Sequence, residues 1–234
     1  MSVKDHPLPL VGVMPSKSFR GADDLQDRVD RQKIVPLKTA ILTPWGTDAH
    51  FTTYQPIGTE QADWPRYNKI ILPKLRASNL NLLTALLVLD YDNMDHAVWT
   101  PGTLQDFFER LTTVALDWPI AADWAALYTT RRGVRFIYVL DEPIAVDDAE
   151  GRHRWLCDQF RQRGILVDPG VSDWTRIFRL PGVNREGRPT WEEDYFLIET
   201  QWSKRLVSNN LPCLEKSRKQ LVLNVQPFTQ TKPR

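Results

Sequence analysis

The sequence predicts a mixed α/β (α+β) protein: a ferredoxin-like or RNA-recognition-like sheet packed with a second, small N-terminal α/β module. Three observations predict it. From residue 85 the periodicity of apolar residues gives the order β, α, β, β, α, β, which is that of a split βαβ unit with both helices on one face. The run Leu86-Leu87-Val88-Leu89 is too short for a helix, reads as a buried strand, and leads directly into Asp90-Tyr91-Asp92. The chain has 234 residues, 42% hydrophobic and 25% charged, enough for one sizeable core or two small ones in an ordinary globular composition.

The N-terminal stretch 1–36 is rich in proline and charge, and Leu25 and Val29 suit a helix over Asp23–Lys33. Leu37–Thr43 reads as a strand ended by Pro44-Trp45-Gly46. Residues 46–68 read as irregular, with a strand over 49–55. They hold Phe51, Tyr54, Trp64 and Tyr67, and the Trp and Tyr residues of 45–67 offer either packing or stacking surfaces for bases. Ile70–Leu75 and Leu80–Leu89 are apolar, and Lys74 and Arg76, which precede the second, suit solvent or a nucleic-acid phosphate.

After Asn93, Thr103 is placed to cap a helix whose apolar face is Leu104, Phe107, Phe108, Leu111 and Val114-Ala115, with Pro119 ending it. Trp124–Thr130, Arg131-Arg132-Gly133 and Val134–Leu140 read as strand, tight turn, strand. A second helix is expected from Asp147 to Arg163, stopped by Gly164. Short strands follow at Ile165–Val167, ending in Asp168, at Thr175–Leu180, and at Tyr195–Glu199. The expected organisation is an N-terminal module over 1–80, a catalytic module over 81–202, and a basic linker or tail over 203–234 that leads toward a further domain.

Net charge is +1, unlike the strongly basic balance of many nucleic-acid proteins, so any polyanion must be met by a local basic patch. The tail carries seven Lys/Arg against one Glu, leaving the first 202 residues at −5. Two distant cysteines, Cys157 and Cys213, form no CxxC pair and give no zinc knuckle or disulfide framework. No apolar run reaches the ~20 residues of a membrane span. Met1–Pro7 has no signal-peptide core, and a cytoplasmic location is expected.

Three stretches carry chemistry. On a strand, residues i and i+2 share a side, so Asp90 and Asp92 project together and Tyr91 faces the core. Paired carboxylates repel unless a cation lies between them, and hard oxygen ligands suit Mg²⁺ or Mn²⁺. The Arg131–Arg135 turn places Arg131, Gly133 and Arg135 on one face, where glycine lets a bulky group such as a triphosphate approach and arginine forks pair with phosphate oxygens. Asp168 ends a third apolar stretch and precedes Arg176-Ile177-Phe178-Arg179-Leu180 and Arg185-Glu186-Gly187. Pro169-Gly170 also suits a plain turn, and His96 and His153 read as surface residues.

In these stretches the sequence resembles the archaeo-eukaryotic primase superfamily, in particular its primase-polymerase branch. The likeness rests on Leu89-Asp90-Tyr91-Asp92, on the basic turn, and on Val167-Asp168 with Arg176-Ile177-Phe178-Arg179-Leu180 and Arg185-Glu186-Gly187. It covers about residues 80–200. By this resemblance Asp90, Asp92 and Asp168 bind the catalytic Mg²⁺ or Mn²⁺, and Arg131, Arg179 and Arg185, with Gly133, Arg135 and Arg176 beside them, hold the incoming nucleotide. Gly133 stands where the family has serine, and Arg135 where it has histidine. The function implied is template-dependent joining of NTPs or dNTPs to a 3′-hydroxyl. The implied partners are single-stranded DNA template and primer, with a helicase domain C-terminal to this chain. The alternatives are a non-catalytic replication-initiator or nucleic-acid-binding module on the same fold, and a metal nuclease. The sequence has no HxH motif, against a histidine-ligand nicking enzyme.

Overall fold

The structure is a computed structural model that describes residues 8–15, 33–56, 82–172 and 176–212. The predicted N-terminal helix, Trp64, Tyr67, Ile70–Leu75, Lys74, Arg76, Cys213 and most of the basic tail lie outside the described residues. The described elements form three layers: helices, a five-stranded sheet, and a four-stranded sheet. The fold is mixed α+β and its sheets are antiparallel throughout the named pairings.

The five-stranded sheet has the order β11-β6-β7-β5-β4. Its strands are β4 Tyr54–Pro56, β5 Leu82–Asp92, β6 Ala126–Thr130, β7 Gly133–Ala145 and β11 Ile198–Thr200. Strand β5 is apolar almost without alternation because both its faces are covered. Leu87, Leu89 and Tyr91 pack under two helices, α2 Pro101–Asp117 and α3 Val146–Gln162, with Phe107, Leu111, Leu156 and Phe160. Leu86 and Val88 point the other way, onto the four-stranded sheet.

That second sheet has the order β2-β1-β3-β8, from β1 Leu10–Pro15, β2 Lys33–Pro36, β3 Ala49–Thr52 and β8 Ile177–Arg179. Val11, Val13, Phe51 and Phe178 fill the layer between the sheets with Ile137 and Val139 of β7. Chain from both ends of the sequence builds both layers: β4 extends the sheet of β5, and β8 joins the sheet of β1 and β3.

Several expectations are corrected. Leu37–Leu42 is a short helix, α1, not a strand. Its buried residues Leu37, Ala40 and Ile41 have i, i+3, i+4 spacing, which a six-residue stretch shares with strand patterns. The cap of α2 is Thr100, not Thr103. Pro101 occupies the first turn, and the Thr103 hydroxyl completes a reciprocal box with Thr100. Ile165–Val167 makes one bridge, Val167 to Tyr91, rather than a strand. His153 is buried, not on the surface. The described aromatics Phe51 and Tyr54 are core residues.

Candidate active site

The register of β5 against β7 sets the site. Asp90 lies opposite Arg135 and Asp92 opposite Gly133. The acidic pair is thus inside the strand, on the face that Leu86 and Val88 share, where the two sheets part. The hairpin β6–β7 turns through Arg131-Arg132 beside it, with Thr130 opposite Gly133. Asp168 arrives from the end of α3. Its backbone N–H donates to the Asp90 carbonyl at 2.8 Å, and its Oδ1 accepts from Gly170 N–H at 2.7 Å.

Asp90 is held by Arg135 through two hydrogen bonds, Nε to Oδ1 at 3.2 Å and Nη2 to Oδ2 at 3.1 Å. The two side chains are 17% and 15% exposed. Arg135 Nη1 donates to the Arg179 carbonyl at 2.9 Å, an acceptor shared with the Tyr128 hydroxyl at 2.7 Å. The guanidinium carbon lies 5.6 Å from the Phe178 ring centre. Burial alone would lower the Arg135 pKa, but the Asp90 charge with its hydrogen bond, and Tyr128, more than offset it and raise it. Arg135 is therefore a permanent cation, built across both sheets.

Asp92 is different. Burial first, then the Asp90 charge, and further Asp168, raise its pKa, while His96 and Arg135 act in the opposite direction. His96 Nδ1 lies 3.7 Å from Asp92 Oδ2. Asp92 senses both other carboxylates, yet among the described residues no three His, Cys, Asp or Glu side chains are grouped as a ready ligand set. The Asp90 charge is already met by Arg135, and a hard divalent ion at this end would be held by Asp92 and Asp168. Such an ion takes its remaining ligands from phosphate and water.

Next to this acidic end is a cavity of about 310 Å³ lined by Arg131, Arg132, Arg135, Arg179 and Arg185, with Tyr128, Thr129, Thr130 and Tyr195. Arg179 is fixed by Asp48, Nε to Oδ1 at 2.8 Å and Nη2 to Oδ2 at 3.1 Å. Burial, and next the Arg179 charge, lower the Arg185 pKa, while Glu186 and Asp48 act in the opposite direction. The chain resembles the primase-polymerase domain of cyanophage S-2L at 11% identity, over 85% of each chain, with a TM-score of 0.44. No family model matches the chain, and no curated protein matches it.

Gly133 and Arg176 do not line the cavity. Gly133 is buried where β7 presses on β5: a Cβ there would lie 1.9 Å from the Tyr91 carbonyl oxygen. Its glycine thus admits a neighbouring strand, not the expected phosphate. Arg176 Nη2 donates to the Gly170 carbonyl at 3.2 Å, at the Asp168 turn.

Sequence reasoning missed Asp48, His153 and Cys157. His153 Nε2 donates to the Val88 carbonyl at 2.8 Å, because a carbonyl can only accept, so Nδ1 is the free acceptor that faces Cys157 Sγ at 3.4 Å. Burial pushes the His153 pKa down to about 4 and the Cys157 thiol up to about 12. The pair is a neutral clamp from α3 onto the strand that carries Asp90, and the thiol is inert. Only the i, i+4 spacing of His153 and Cys157 on one helix face pointed to it.

Proposed function

We propose that the chain binds a nucleoside triphosphate in the arginine-lined cavity and joins nucleotides to a 3′-hydroxyl on a single-stranded DNA template, as a DNA primase or polymerase of the primase-polymerase kind. The observation that carries this reading is the junction of two chemistries at one sheet end. Asp90 and Arg135 are register partners, and Arg135 lines the five-arginine cavity, so the acidic strand adjoins that cavity through this one side chain. Arginine forks match phosphate oxygens two at a time, and a cavity of that size suits a polyphosphate chain.

In this reading Arg131, Arg179 and Arg185 hold and orient the phosphates, and Asp48 keeps the Arg179 fork in one plane. Asp92 and Asp168 hold Mg²⁺ or Mn²⁺, with Asp90 shared with Arg135. When bound, the ion neutralises phosphate charge and lowers the pKa of the attacking hydroxyl. The protein's share is then positioning in line and a fixed positive field, the main sources of rate in phosphoryl transfer.

The test is extension of a labelled primer on a template with Mg²⁺ or Mn²⁺ and either dNTPs or NTPs. Wild type should extend, and Asp92→Asn should lose roughly 10³-fold or more. An extending Asp92→Asn variant would overturn the reading. The bidentate hold of Arg135 on Asp90 favours a second reading, a nucleic-acid-binding module without catalysis. In that case wild type retains labelled single-stranded DNA and extends nothing under any metal.

A further inference from the structure

Arg131 and Arg185 also line a second, larger cavity of about 940 Å³, together with Glu186, Val98, Trp99 and Leu104. The same Arg131, Arg185 and Glu186 line the smaller cavity, as do Glu193 and Tyr195, so these five residues stand between the two. Glu186 Oε2 lies 3.8 Å from Arg131 Nη1, and its Oε1 lies 3.7 Å from Arg185 Nε. One carboxylate thus divides its two oxygens between two arginines, as a phosphate would.

Glu186 sits at an unusual place for its residue type. Arg185 and Arg188 pair across a two-residue hairpin of strands β9 Asn184–Arg185 and β10 Arg188–Pro189. Its tip residues Glu186 and Gly187 have φ of 54° and 81°. That turn favours Asn, Asp or Gly at its first position, and a glutamate there needs an offset, which the two ion pairs supply. The Glu186 side chain is 71% exposed, and among the described residues its ion pairs are with these two arginines.

We propose that Glu186 is an internal stand-in for phosphate: it occupies the space between Arg131 and Arg185 until a polyphosphate displaces it, and its departure joins the two cavities into one cleft. The apolar wall of Val98 and Leu104 in the larger cavity then suits the base and sugar of a ligand whose phosphates lie on the arginines. The inference rests on the reading of the smaller cavity as a phosphate site. Glu186 would set a threshold: weakly charged anions fail to displace it, while a triphosphate meets both arginines with more than one negative charge.

The experiment is calorimetric titration of the folded chain with inorganic tripolyphosphate at low salt. Wild type is compared with Glu186→Gln, Glu186→Asn and Glu192→Gln. Asparagine accepts the left-handed turn and is too short to span the arginines, so it serves if glutamine disturbs the hairpin. Glu192 lines the larger cavity but, among the described residues, pairs with neither arginine. Both Glu186 variants should bind roughly two- to tenfold tighter, the range expected for removing two exposed ion pairs, and Glu192→Gln should match wild type. Wild-type binding with no gain in either Glu186 variant overturns the stand-in alone. An equal gain in Glu192→Gln reduces the effect to bulk charge and also overturns it. Failure of every variant, wild type included, to bind tripolyphosphate overturns both this inference and the phosphate reading beneath it.

Discussion

Replacing Arg135 by methionine should destabilise the chain through Asp90 rather than through lost packing. Methionine keeps much of the side-chain volume and removes the charge and three donors. The carboxylate it leaves behind is 17% exposed, too little for water to replace two hydrogen bonds of 3.1 and 3.2 Å. Breaking one side of a buried ion pair costs about 3–5 kcal/mol, and the residual exposure argues for the lower end, about 3 kcal/mol. The Arg179 carbonyl keeps its Tyr128 hydroxyl, so its loss of Arg135 adds little. In a domain of this size about 3 kcal/mol lowers the melting temperature by roughly 6–12 °C.

The double-mutant cycle with Asp90→Asn makes the reasoning refutable. Asparagine is neutral, so Arg135→Met no longer strands a charge when both changes are present. Equilibrium urea unfolding of the four proteins should give a coupling energy of about 2 kcal/mol, with the double variant more stable than the sum of the singles allows. Additivity within about 0.5 kcal/mol would mean that Asp90 and Arg135 are separately solvated. The account of Arg135 as the resident counter-cation would then fall.

Other outcomes follow from the same geometry. The raised pKa of Asp92 means that its ionised form is disfavoured in the folded state, so its contribution to stability is present at low pH and lost as pH rises above the ordinary carboxylate range. Asp92→Asn should therefore melt higher than wild type at pH 7, and the gain should vanish near pH 3. Equal melting at both pH values refutes the crowding. His153, with its pKa lowered to about 4, stays neutral when folded, so the unfolded chain binds more protons and stability should fall from about pH 6.5 toward pH 4. His153→Gln should flatten that limb of the unfolding profile, and an unchanged slope assigns it to other groups. Gly133→Ala puts a methyl into the Tyr91 carbonyl, 1.9 Å away. Because backbone on both sides cannot yield, a loss of roughly 3 kcal/mol or more is expected in urea unfolding, and a neutral result contradicts the strand register.

Much of the sheet was legible because a strand covered on both faces needs a continuous apolar run, and Leu86–Leu89 is one. The helices were legible for the same reason in a different period, with Phe107, Leu111 and Val114 on one side of α2. Leu37–Leu42 was not, since six residues fit either period and tertiary contacts choose. The arginines of the cavity stood out in sequence, whereas Asp48 lay 131 residues from the Arg179 it fixes, with no local pattern to announce it. Gly133 was read rightly as a close-approach residue and wrongly as to what approaches. Sequence gives the need for space, and only register shows that the neighbour is Tyr91.

The same register bears on how the acidic end works. Two carboxylates on one strand face invite a shared cation, but here one of them already has a cation from the adjacent strand at hydrogen-bond distance. The strand pairing that creates the site thus also meets one carboxylate charge within it, leaving Asp92 and Asp168 without such an arginine partner among the described residues. In the proposed reading, a site arranged this way would have less charge to offer a second metal ion and more fixed positive field toward phosphate. Its chemistry would then depend on arginine positioning to a greater degree than on metal clamping. The Asp90–Arg135 cycle and the Asp92 pH profile report on the two halves of that division independently. A strong coupling in the first with a raised pKa in the second is the combination it requires.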